Sequence, residues 1–118
     1  MPSLAYGQAS LKVLQSEYKE TNKQYFNNKL PPVKIVFIKH LLASDKEPSM
    51  ASTWCNPQGL NCDIEIDPDK NKINRVMMMT LYHETCHIFL WVKQADHGPK
   101  FQSCMLRLAE QGAFEDYW

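Results

Sequence analysis

No charge of either sign prevails in this sequence: Lys plus Arg and Asp plus Glu number 13 each. A balanced chain sets up no overall field that draws it to nucleic acid or to an acidic membrane surface, so any association with DNA is expected to be weak or partner-assisted. No run of about 18 apolar residues occurs, and Met1-Pro2-Ser3-Leu4 opens without a basic stretch leading into an apolar one. The expectation is a chain that neither crosses a membrane nor is exported, and that works in the cytoplasm. The four cysteines, Cys55, Cys62, Cys86 and Cys104, include no C-x-x-C pair and are too few for a disulfide-built scaffold, which fits a reducing cytosol. Cys55 and Cys62 flank Asn56 to Asn61 and can face each other across a hairpin, so a disulfide stays open there. No internal repeat, low-complexity tract or linker divides the chain, and a single domain over 1–118 is expected.

What is present is ordinary for a globular protein: 44% apolar and 22% charged residues in 118 positions. From Ser3 to about Asn28, Leu4, Leu11, Leu14, Tyr18 and Tyr25 recur at a spacing that puts them on one helical face. Pro31-Pro32 cannot continue that helix, and Val33, Ile35 and Phe37 alternate as a strand. A polar loop over 43–49 precedes a second strand from Met50 to Cys55. Cys62 to Asp67 alternates as a third, with Ile64 and Ile66 on one side and Asp63, Glu65 and Asp67 on the other. A long helix from about Asn71 to Lys93 offers Ile73, Val76, Met77, Leu81, Ile88 and Trp91 to a core. A last helix from Pro99 to about Gln111 offers Phe101, Met105 and Leu108. The fold class that follows is α+β, three helices packed on a small three-stranded sheet. Lys34, Lys39, His40 and Lys46 form a local basic group that touches phosphate only if they share a face; a scatter of lysines is ordinarily a solvated surface.

The long central helix carries the informative residues, His83-Glu84-Thr85-Cys86-His87. Positions four apart differ by about 40° around a helix, so His83 and His87 can grip one ion from one rigid face. Glu84, beside them, can accept a proton from a metal-bound water while Zn²⁺ polarises the carbonyl under attack. Shuffling the composition yields such a match in roughly 1% of chains, so the motif is strong but needs context. Without metal, the same residues read as a buried helix whose histidines hydrogen-bond to neighbours.

A catalytic zinc needs a third protein ligand and an open fourth position. Asp96-His97-Gly98-Pro99 supplies His97 where the chain reverses after the motif helix; Asp96 can cap the helix that follows without competing for that role. Glu110 on the last helix is the rival ligand. The pattern H-E-x-x-H-x-x-G-x-x-H is excluded, because Leu90 and Lys93 stand where it needs glycine and histidine.

These features resemble the SprT-like metalloprotease family, which includes proteases of DNA–protein crosslinks. The resemblance rests on Tyr25-Phe26-Asn27 with Leu30-Pro31, Ile64-Glu65-Ile66-Asp67-Pro68, His83 to His87, and His97-Gly98-Pro99-Lys100-Phe101. It implies a minimal zincin-like domain in which His83, His87 and His97 bind Zn²⁺ and Glu84 is the base. The cysteine-rich zinc ribbon and the separate DNA-binding segments of some relatives are not expected in 1–118. The substrate is then protein or peptide, with DNA-associated or unfolded proteins as candidates. The resemblance carries no information on oligomeric state.

An oxyanion-stabilising partner would complete the site, and Tyr82, His40, Arg107 and Tyr117 are all conceivable. Trp54 and Trp91 are expected in the core. Met77-Met78-Met79 point about 100° apart and cannot share an ion, and Cys86 is rotated away from the histidines and reads as core. The substrate strand is expected antiparallel to an edge strand, either 50–55 or 62–67. Two other readings share these residues: a non-catalytic zinc-binding interaction or nucleic-acid adaptor module, and a repressor-cleaving regulatory H-E-x-x-H protease whose third ligand is usually a carboxylate.

Overall fold

The apolar spacing of the first segment becomes α1 (Leu11–Phe26), which buries Leu14, Tyr18 and Phe26. A computed structural model of the chain describes residues 11–43, 45–91 and 97–115, so Leu4 lies outside the described residues. Asn27 and Asn28 take left-handed backbone with φ of 53° and 60°, a conformation asparagine tolerates, and so end the helix. The Asn22 amide then clamps the turn, donating to the Leu30 carbonyl at 3.2 Å and accepting from the Leu30 N–H at 2.9 Å.

The three strands are β1 (Val33–Phe37), β2 (Ala51–Cys55) and β3 (Cys62–Ile66), within a residue of the boundaries expected from alternation. Their order is β1-β3-β2, with β3 parallel to β1 and antiparallel to β2. The sheet is therefore mixed, and β3, one of the two strands expected as a substrate edge, lies in its middle. That leaves β1 and β2 as edges.

One face of the sheet is covered by helices. Ile35, Ile64, Ile66, Cys62 and Cys55 turn to it and are buried. Lys34, Asp63 and Trp54, adjacent in register, share the opposite face. This parity corrects the expectation for Trp54, which is 59% exposed: the position next to buried Cys55 must point the other way. Asp67, expected on the polar side of β3, is also buried. It lies just past the strand, where its carboxylate accepts from the Leu41 and Asp69 N–H groups and pairs with Lys70 at 3.1 Å.

The long helix is α2 (Asn74–Phe89) and the last is α3 (Pro99–Glu110). Met77, Leu81 and Ile88 are buried as expected, but Ile73 sits at the N-cap and is 50% exposed. Lys93 and Asp96 fall outside the described residues; the position that caps α3 is Gly98, with no side-chain cap bond.

All four cysteines are paired, Cys55 with Cys62 and Cys86 with Cys104. The first disulfide joins directly opposed residues of β2 and β3, the bridge left open by the sequence. The second ties α2 to α3 and was not anticipated, because the residues lie on different helices. The pairing removes the ground on which the cysteine pattern pointed to a reducing cytosol. No helix among the described residues is long and apolar enough to cross a membrane.

Candidate metal centre

His83 and His87 occupy one face of α2, as their spacing requires. His97 reaches them from the residue before Gly98, where the chain enters α3, and the Gln102 amide donates to its carbonyl at 3.1 Å. The three Nε2 atoms stand 3.2, 3.0 and 3.1 Å apart. A ring nitrogen is either a donor or an acceptor, so of three in mutual contact at least two are alike, and not every pair can be a hydrogen bond. A cation shared by three lone pairs resolves that conflict. Tetrahedral ligands at the usual zinc–nitrogen length lie about 3.3 Å apart, close to the spacing found. The cluster can hold a metal ion.

Packing holds the rings in this arrangement. Phe101, buried near the start of α3, lies 4.8, 4.6 and 4.8 Å from the His83, His87 and His97 ring centroids. Burial depresses the His83 and His87 imidazoles, and neighbouring histidines add to it, taking His87 down to about 4. Both are therefore neutral near pH 7, the form a metal needs. Glu110, the rival ligand, is exposed at the end of α3 and joins no such cluster among the described residues.

Glu84 is buried beside the cluster. Burial pushes its carboxyl up to about 7, against the opposing pull of a hydrogen bond from Thr53. Thr53 Oγ1 donates to Glu84 Oε1 at 2.7 Å, and Oε2 stands 3.9 Å from His83 Nε2. Because His83 is neutral, that last approach is proximity rather than an ion pair.

A network at the other end of α2 sets the helix against β2. Thr80 Oγ1 donates to Asn71 Oδ1 at 2.6 Å, and the Asn71 amide donates to the Met50 and Asp67 carbonyls at 3.0 and 2.8 Å. Between β2 and α2 runs a cleft of about 1030 Å³, lined among others by Ser49, Thr53, Arg75, Met79, Glu84 and the three histidines. Trp91 lines it while packing on the core.

The conceivable oxyanion partners do not gather there. Tyr82 is buried against Phe114, with ring centroids 5.4 Å apart. Arg107 donates to the Tyr25 carbonyl at 2.6 Å and lies over the Phe26 ring. His40 is exposed beyond the end of β1, and Tyr117 lies outside the described residues. Lys34, Lys39, His40 and Lys46 are exposed, and Lys34 has Asp63 beside it in register. Sequence reasoning missed two contributors, Thr53 and the ring-packing role of Phe101. Only the proximity of Phe101 to His97 in the chain hinted at either.

A model of the SprT-like family matches residues 14–116. No curated protein matches the chain at a significant level.

Proposed function

The chain belongs to the SprT-like family, and from that premise we propose that it is a zinc-dependent metalloendopeptidase whose catalytic domain is zincin-like. The observation that carries this reading is the convergence of His83, His87 and His97 nitrogens next to a buried carboxylate at the wall of an open cleft. A structural zinc is normally closed by four protein ligands and has no use for such a base, which disfavours the adaptor reading. A carboxylate third ligand, the mark of the repressor-cleaving reading, finds no support at Glu110.

His83, His87 and His97 would hold Zn²⁺, His83 and His87 in the neutral form that burial favours. When bound, it would supply Lewis acidity to the scissile carbonyl and to the attacking water. Glu84 takes the proton of the attacking water and passes it to the leaving amine. Glu84 Oε2 faces the three histidines, where that proton is collected and returned. The substrate is an extended segment lying along β2, the edge that borders the cleft. Main-chain pairing there recognises any unfolded or loosely held chain and gives weak sequence preference. DNA-associated proteins are candidate substrates, with DNA contact weak or partner-assisted.

Incubating wild type and Glu84→Gln with casein or a DNA-binding protein, with and without single-stranded DNA, tests this. Glu84→Gln should lose activity by about 10²–10⁴-fold and keep its zinc. Equal cleavage by both proteins would remove Glu84 from the mechanism, and cleavage by neither would favour the adaptor module.

A further inference from the structure

The two ends of β2 fix which of its main-chain groups face the cleft. The Asp67 N–H donates to the Met50 carbonyl and the Asn56 N–H to the Asn61 carbonyl, so the hydrogen-bonded pairs with β3 fall at even positions of the strand. In an antiparallel pair the intervening residues turn their N–H and C=O away from the partner. Ala51, Thr53 and Cys55 therefore direct these groups outward, and the Ala51 carbonyl indeed accepts from Ser49 Oγ at 2.7 Å. Thr53 stands at the middle of that outward row. Its side chain meanwhile takes Glu84 Oε1 and leaves Oε2 turned towards the histidine cluster.

We propose that Thr53 is a positioning residue that joins substrate docking to the aim of the base: its hydroxyl holds one Glu84 oxygen while its own N–H and C=O are offered to the substrate strand. The proposal rests on the protease reading above. Glu84 has a flexible side chain, and without the tether its carboxylate can turn about its last bond and exchange the two oxygens. With the tether, the same peptide unit that a docking substrate steadies also fixes where Oε2 lies. The cost of losing it should fall on turnover rather than on substrate affinity, because the main-chain groups that bind substrate are unchanged by a side-chain substitution.

The test compares Thr53→Val, which keeps the branched shape and removes the hydroxyl, with Thr53→Ser, which restores it. Thr53→Val should lower kcat on a fluorogenic peptide by about 10–100-fold, the range expected for a lost hydrogen bond to a charged group, with KM within about threefold. Thr53→Ser should recover to within about threefold of wild type. Zinc stoichiometry should be one in every variant. In the inactive Glu84→Gln background, a fluorescent extended peptide should bind equally well with Thr53 or Val at that position. If Thr53→Val folds poorly, Thr53→Ala against Thr53→Ser makes the same comparison. Undiminished kcat in the hydroxyl-free variant, or Thr53→Ser as slow as it, overturns the proposal. No cleavage by wild type overturns the protease reading itself, full activity of Glu84→Gln removes Glu84 and with it the role of Thr53, and an inactive Glu84→Gln beside a fully active Thr53→Val overturns the role of Thr53 alone.

Discussion

The sheet has two edges, and the protein treats them differently. Along β1 the side chain of Gln15, on α1, acts as a false strand: its amide donates to the Val33 carbonyl at 3.2 Å and accepts from the Ile35 N–H at 2.9 Å. That part of the edge is closed to a further chain. Along β2 no strand lies beyond the edge among the described residues, and its outward groups face the cleft. An exposed edge strand invites unwanted pairing, and a five-residue length limits that risk while leaving room for a short guest segment. The open edge is also anchored at both ends, by Cys55–Cys62 at one and by the Asn71 and Asp67 bonds to the Met50 carbonyl at the other. Openness and rigidity coexist because the anchors lie at the two ends of the strand, away from Thr53 at its middle.

The largest effect should come from removing the anchor. Cys55→Ser with Cys62→Ser should cost about 2–4 kcal/mol of stability, the usual range for a lost disulfide, measured by denaturant unfolding without reductant. Peptide KM should rise as β2 frays. Equal midpoints for the double variant and wild type would show that the bridge does not hold the edge.

Uncovering the closed edge comes next. Gln15→Leu leaves the Val33 carbonyl and Ile35 N–H without their partner, and should cost about 1–3 kcal/mol by the same measurement. It should leave kcat/KM unchanged at temperatures where the protein is folded. A loss of activity without a loss of stability would mean that β1 also takes part in substrate binding.

Blocking the open edge should be smaller in energy and opposite in kind. Ala51→Pro removes an outward N–H that β3 does not use, so kcat/KM should fall by up to about 10-fold while the unfolding midpoint moves little. Unchanged kinetics would place the substrate elsewhere than on β2.

Acid should have the mildest influence. Burial pushes the Asp67 carboxyl up, but the Lys70 ammonium and the Asp69 and Leu41 N–H groups outweigh it and hold it below its ordinary 3.8. A carboxyl lower in the folded than in the unfolded state stabilises the fold fully above the unfolded value, and that contribution disappears as pH falls through the folded one. Between pH 5 and pH 2, wild type should lose more stability than Asp67→Asn. Parallel losses would remove Asp67 from the acid response.

Much of this was legible along the chain because it depends on local periodicity. The helix repeat brings His83 and His87 to one face, and the alternation of Ile64 and Ile66 marks a strand whatever its neighbours. Alternation says nothing about sheet order, however, which is why β3 stood beside β2 as a candidate edge until the parallel pairing with β1 placed it in the middle. Aromatic character drew Trp54 towards the core, but strand parity outranks residue type when the next residue is a buried, bridged cysteine.

The sequence by itself determined that His83, Glu84 and His87 stand together on one helix, since a single helical turn is enough to gather them. Only the tertiary structure decided that His97 rather than Glu110 meets them, that Phe101 packs against all three rings, that Cys86 is bonded to Cys104, and that Thr53 holds the Glu84 carboxyl. Each of these is a contact between elements distant in the chain or separated by a reversal, set by how helices and sheet pack rather than by any spacing that can be read in one dimension.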